Sequence, residues 1–376
     1  MGKCEVSVIC ITYNQDRYLE RALESMLSQK TEFDYEIILH DDVSTDLTKD
    51  IIRKYADKYP NKIRAIFETE NQYSKGVNFV IPIIRDIAKG RYIAFCEGDD
   101  FWIDEKKLQL QYEAMEEHPE CDMCACWGCT VTEDGNNEVS QIRPRNENCV
   151  LPIEDVILGG GQYLVTAGLF FRKRAFDDEL PFENVIALDY AQQIKGALRG
   201  GAYYIDKKMA VYRRNAVGSW TNDVLKDDER LSIQWEKERR LLNILDQDTG
   251  YKYHETIVER LKAYTSFLDQ LEEHKDEILS EIEKINGKCF LWGMGRRGRN
   301  LEVFFKNIGY EFEGICDAAN EEVGGLTKQG NRIVDTGYVL ENADTIIATT
   351  KWAYDDLIKM DLRAEVLDFQ KYMPYG

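Results

Sequence analysis

No stretch of the 376-residue chain approaches the roughly 20 consecutive apolar residues that a membrane-spanning helix requires, so no transmembrane segment is expected. A cleavable signal pattern is missing too, because MGKCEVSVICITYN runs straight into a β-rich segment. Positive charge is in short supply: 48 Lys and Arg face 68 Asp and Glu, for a net charge of −20. The field of such a protein repels a polyphosphate surface, which excludes nucleic acid as a general partner. These absences together predict a cytoplasmic protein, with peripheral contact at the cytoplasmic face of a membrane still compatible.

Cysteine is not scarce, but its ten copies are spread over a large acidic chain and sit inside apolar runs, as Cys10, Cys96, Cys289 and Cys316 do. Free buried thiols are expected rather than disulfides. The cluster Cys121, Cys124, Cys126 and Cys129 imitates a metal site, yet in an extended segment Cys124 and Cys126 share one face while the outer two point the other way. Four sulfurs so arranged do not close a tetrahedron, and the better reading is small hydrophobes in a strand.

The chain is long enough for more than one core. VSVICIT (6–12) and EIILH (36–40) read as strands, and between them Tyr18, Leu19, Ala22, Leu23, Met26 and Leu27 recur at helical spacing. A second helix starts after Ser44-Thr45-Asp46, with Asp46 or Ser44 as cap, followed by a strand at 63–67, a helix at 80–88 and a strand at 92–96. Alternating strands and helices predict a parallel α/β sheet with its ligand site beyond the carboxyl ends of the strands. Less regular signals follow: strands near 122–131 and 164–171, a helix at 187–199, and strands at 202–206 and 209–213. Residues 221–286 read as a helical connector. There Ile257, Leu261, Tyr264, Leu268, Leu271, Ile278, Ile282 and Ile285 form a heptad-like seam over 257–285, open to a homodimer or to packing within the chain; four heptads with one break favour the second. From 287 a strand, the loop Gly293-Met294-Gly295-Arg296-Arg297-Gly298, a helix and Asp317 about 20 residues on predict a small Rossmann-like α/β domain. With about 90 residues it holds part of a dinucleotide fold, so a docking or structural role is preferred to ligand binding, and no hydride-transfer site accompanies it.

FCEGDDFW (95–102) sets Glu97, Asp99 and Asp100 directly after the apolar run YIAF, and Asp41 and Asp42 end another strand. Two sets of carboxylates at neighbouring strand ends repel one another unless a positive group lies between them. A divalent cation is the simplest such group, and Mg²⁺ or Mn²⁺ keeps positions open for substrate phosphates. The alternative is that the acids cap the helices that follow.

The ordered segments VSVICITYNQDRYLERALESMLSQ, YEIILHDDVSTDLTKDII, ENQYSKG and GRYIAFCEGDDFWIDEKKLQLQ resemble the inverting family 2 glycosyltransferases, over about residues 4–220. The resemblance implies a GT-A nucleotide-diphospho-sugar transferase fold for 1–220, followed by the connector (221–286) and the Rossmann-like domain (287–376). It implies a nucleotide-diphosphate sugar donor, UDP-linked in most relatives, a saccharide or glycoconjugate acceptor, and a setting in surface-polysaccharide assembly. By the same resemblance Ile11, Tyr13, Asn14, Asp42 and Asn71 line the nucleotide. Glu97, where the family has aspartate, Gly98 and Asp99 meet the nucleotide, and Asp99, supported by Asp100, makes up the metal site. Asp189 aligns with the family's catalytic base, with helix capping as its plain alternative. Arg213 and the loop 217–220 align with the diphosphate side, although Arg213 could instead pair with a sheet carboxylate; Asn215 stands where many relatives have histidine. A non-catalytic nucleotide-sugar sensor or scaffold is the competing reading of the same motifs.

Overall fold

CEVSVICIT is apolar on both of its faces, and such a run is stable only between two covered layers, as the middle strand of a parallel sheet is. The computed structural model describes residues 4–76, 78–178, 188–217, 228–318 and 323–374. In it β1 (Cys4–Thr12) lies parallel between β2 (Asp34–Asp41) and β4 (Tyr92–Phe95), with β3 (Ile63–Phe67) outside β2. The helix Leu19–Leu27 covers one face with Leu19, Ala22, Leu23 and Met26, and the helix Thr48–Lys58 adds Ile52 and Tyr55. Val80–Ile87 opens as an α-turn and continues as a π-helix.

Beyond β4 the sheet becomes mixed. Its remaining strands are β5 (Phe101–Trp102), β6 (Met123–Val131), β7 (Glu138–Ile142), β8 (Cys149–Leu151), β9 (Phe170–Arg172) and β10 (Ala202–Arg213). Among the described residues the order is β3-β2-β1-β4-β9-β6-β10-β5, with β7 on β6 and β8 on β10. The strand expected near 164–171 is a 3-10 turn, Thr166–Gly168, followed by the three-residue β9. The two strands expected at 202–206 and 209–213 are one, because register shifts between Ile205, Lys208 and Ala210 let β10 absorb the irregularity without breaking. Cys124, Cys126 and Cys129 lie along β6, and all four thiols of that cluster are buried and free. The architecture is the GT-A fold, an α/β sandwich with a mixed parallel and antiparallel extension.

The chain divides into two compact units, Met1–Arg260 and Leu261–Gly376, and the boundary falls inside the stretch expected as a connector. The heptad-like seam is not one helix. It is three, His254–Lys262, Phe267–Glu273 and Lys275–Ile282, broken where Ser266 caps the second helix with its side chain and again at His274. Leu271, Ile278 and Ile282 enter the core of the second unit beside Leu291, Phe304 and Phe305, so tertiary burial, not a partner helix, takes up these positions.

Among the described residues that second unit holds four parallel strands in the order β12-β11-β13-β14: β11 (Cys289–Trp292), β12 (Gly314–Cys316), β13 (Thr345–Ala348) and β14 (Glu365–Asp368). Successive β11 side chains feed opposite cores, Cys289 and Leu291 on one face and Phe290 and Trp292 on the other. The glycine loop turns at Gly293 (φ +115°), and a methyl on Gly298 would strike the Gly293 carbonyl, so the first and last glycines serve loop closure. Asp317, expected where a ribose acid would stand, accepts the backbone N–H of Met294 at 2.7 Å.

Candidate active site

The site is built from the end of β1. The Ile11 carbonyl accepts the Gly98 N–H at 3.1 Å on one side, and the Thr12 carbonyl accepts the Asp42 N–H at 3.1 Å on the other. Two acidic turns are thereby fixed to the same strand end. Gly98 is required by this approach: a side chain there would run into Gln15 Oε1 and lie 2.7 Å from the Thr12 methyl. Tyr13 is 44% exposed beside it, and Asn14 adopts φ 52°, a left-handed conformation that asparagine tolerates. Asn14 locks the next turn through its N–H to Ser44 Oγ (2.9 Å) and its Oδ1, which accepts from Thr45 N–H (2.7 Å). Val43, between Asp42 and Ser44, is held at φ 67°, a strained conformation for a β-branched residue and one that surroundings must over-determine.

Asp42 is buried, and its two oxygens accept the N–H groups of Gln72 (2.6 Å) and Tyr73 (3.0 Å). Asn71 completes the knot, donating to the Asp42 carbonyl at 2.9 Å and accepting from Ser74 N–H at 2.7 Å. Asp42 and Asn71 therefore shape the 71–75 turn, which carries Tyr73 55% exposed at its start.

Glu97 and Asp99 are half-buried and Asp100 is 1% exposed. Burial pushes the Glu97 carboxyl up to about 8, with the charges of Asp99 and Asp189 adding to it. Burial likewise raises Asp99, opposed by Arg213 and Gln15, and raises Asp100 well above the usual carboxylate range, with Asp99 and Glu97 contributing. Asp100 Oδ1 accepts the Arg213 N–H at 2.9 Å, while its Oδ2 is buried without a hydrogen-bond partner among the described residues, as is Asp41 Oδ1. The cluster is short of positive charge. Among the described residues no three carboxylate, histidine or cysteine side chains form a ready-made cage. This fits a cation held by one or two carboxylates with water and phosphate oxygens completing its shell, and Glu97 and Asp99 are the half-buried carboxylates of the turn.

Arg213 meets the acidic turn through its main chain and its guanidinium. It is 3% exposed, donating from Nε to the Asp99 carbonyl (2.9 Å) and from a terminal nitrogen to the Glu133 carbonyl (2.5 Å). It braces the acidic turn through these two main-chain carbonyls. The loop residues 218–220 lie outside the described residues, and Asn215, at φ 59°, and Val217 within them.

Asp189 opens the helix Leu188–Ala197, half-buried, and its Oδ1 accepts the Tyr190 N–H at 2.7 Å. Burial raises its carboxyl to about 6 against that hydrogen bond, with the Glu238 charge a further contribution. Its own charge acts on Glu97 and on the Tyr73 hydroxyl, so three elements distant in sequence share one field. A methyl placed on Gly161 would stand 3.7 Å from both Asp189 oxygens, so a larger side chain there would lie against the carboxylate. Reading the sequence missed Gln15, Glu133 and Tyr73 as parts of this site. Glu133 gave no signal at all, and Tyr18 registered only as an apolar helix position.

The Glycosyl transferase family 2 profile matches residues 7–181. An uncharacterized protein of Mycobacterium tuberculosis is 32% identical over 264 residues, 69% of this chain and 73% of its own length. An Escherichia coli UDP-Glc:α-D-GlcNAc-diphosphoundecaprenol β-1,3-glucosyltransferase is 43% identical over 111 residues, 30% of this chain and 41% of its own. Staphylococcus aureus TarS, solved with UDP-GlcNAc, aligns at 15% identity with a TM-score of 0.47, over 82% of this chain and 93% of that one. The acidic strand ends, the sheet that joins them and the relatives agree: the chain belongs to glycosyl transferase family 2 and is a glycosyltransferase.

Proposed function

We propose that the protein is a metal-assisted inverting glycosyltransferase that moves a sugar from a nucleoside-diphosphate donor, UDP-linked as in the Escherichia coli relative, to an acceptor hydroxyl in surface-polysaccharide or glycoconjugate assembly. The observation that carries this reading is Asp189, a carboxyl poised near 6 whose field reaches the acidic turn across the site. In one displacement the acceptor oxygen bonds to the anomeric carbon, the bond from that carbon to the diphosphate breaks with its electron pair on the leaving oxygen, and Asp189 takes the acceptor's proton. A base must be ionised at working pH yet basic enough to hold the proton, and a carboxylate near 6 meets both conditions. Mn²⁺ or Mg²⁺ on Asp99 would neutralise charge on the departing diphosphate. Asp100 and Arg213 hold the turn that presents Asp99, while Tyr13 and the turn tied by Asp42 and Asn71 flank the nucleotide side.

Asp189→Asn is the test. It should lower kcat by at least about a hundredfold, the lower end of what a general base contributes, and leave nucleotide affinity within about twofold. Full turnover in the variant would remove Asp189 as the base, and no turnover in the unaltered protein with any nucleotide sugar would leave a sensor or scaffold as the better description.

A further inference from the structure

Tyr18 is buried at the start of the helix Leu19–Leu27, and its surroundings are not those of a core tyrosine. Its ring lies 4.7 Å from the Arg213 guanidinium carbon, in cation–π range. Its hydroxyl donates to Glu133 Oε1 at 2.9 Å and accepts the Val217 N–H at 3.1 Å. The chain from Arg213 to Val217 therefore wraps around one phenol, gripped at the side chain of its first residue and at the backbone of its last. Glu133 is held by Tyr18 and, at 3.7 Å, by the exposed Arg17 at its carboxylate, and by Arg213 at its carbonyl. Arg213 in turn meets the Asp99 carbonyl with Nε and Asp100 with its N–H.

Resting on the donor-site reading above, we infer that Tyr18 is a positioning residue for the donor: its hydroxyl and ring together fix Arg213 and Glu133, and through Arg213 they set the main chain that presents Asp99. The argument is one of rigidity. Arg213 is the positive group braced against the acidic turn, and a long side chain with several rotatable bonds holds a carboxylate-bearing turn only if its own rotamer is locked. Phe101 stands 5.5 Å from the same guanidinium but is shared with Arg21, 3.7 Å away. An apolar ring cannot distinguish the two arginines, whereas the Tyr18 hydroxyl, tied to Glu133 and Val217, fixes which ring Arg213 stacks on.

Tyr18→Phe keeps the ring and removes the hydroxyl. With whichever of UDP, GDP and dTDP the unaltered protein takes up, measured by calorimetry with and without Mn²⁺, the variant should bind about tenfold more weakly, about 1.4 kcal/mol. Donor KM should rise in step and acceptor KM stay put, a split that general loosening of the fold would not give. Glu133→Ala should reproduce the loss, and the double variant should be no worse than either single one, because the two groups act as a unit. Glu133→Gln retains an acceptor for the phenol and should bind as the unaltered protein does. Equal nucleotide affinity in Tyr18→Phe, or full additivity with Glu133→Ala, overturns the inference. If the unaltered protein takes up none of the three nucleotides with Mn²⁺ present, the donor-site reading fails first and the inference with it.

Discussion

Asp189 shows what one residue inherits from its surroundings. Free in an unfolded chain its carboxyl would titrate near 3.8, and in the fold burial moves it to about 6. The folded state then binds the proton more tightly, so stability falls as pH rises from about 4 to about 6 and a cost of up to about 3 kcal/mol remains at neutral pH. Asp189→Asn should therefore raise Tm at pH 7.5, with the gain vanishing at pH 4; differential scanning calorimetry at the two pH values checks it. The same proton sets an acid limb in kcat/KM, rising tenfold per pH unit below about 6 and flat above, read from a pH–rate profile. Gly98 carries a steric constraint instead. Gly98→Ala should destabilise the protein by about 1–3 kcal/mol in urea melts, since a methyl would overpack against Gln15 and Thr12. The aspartates were legible from their charge and spacing. Tyr18 and Glu133 were not, because a tyrosine at helical spacing and a lone surface-type glutamate are each fully accounted for by ordinary patterning.

At the level of elements, strong periodicity translated directly into structure and weak periodicity did not. The helices Leu19–Leu27 and Thr48–Lys58 and the strands β1 to β4 stand where apolar spacing put them. The seam at 257–285 had the spacing of one long helix and became three, since no local signal reports that its apolar residues will be claimed by a neighbouring sheet. Short strands such as β5 and β8 were invisible, because two or three residues carry no period and exist only through β10, their partner. Cysteine placement gives this level its prediction. Of the ten thiols only Cys4 and Cys149 are part-exposed, so Ellman's reagent should label at most two in the native protein and all ten in guanidinium. Rapid native labelling of four or more would contradict the burial of β6.

For the whole molecule, every residue named above for the proposed site belongs to Met1–Arg260. Gly298→Val, which forces a side chain into the Gly293 carbonyl, should accordingly expose the second unit to limited proteolysis while transfer by the first changes less than twofold. A large loss of transfer would show that the second unit supports catalysis. The sequence by itself determined the class of this protein: an acidic α/β chain with carboxylates at adjacent strand ends, because period, charge and motif order are local properties written along the chain. Only the tertiary structure decided what those carboxylates face, since bringing Tyr18, Glu133 and Arg213 behind Asp99, and setting Asp189 in the field of Glu97, depends on how β10 and the helix Leu188–Ala197 close on the sheet. Such contacts span 80 residues and more, and no local pattern can encode a partner that distant.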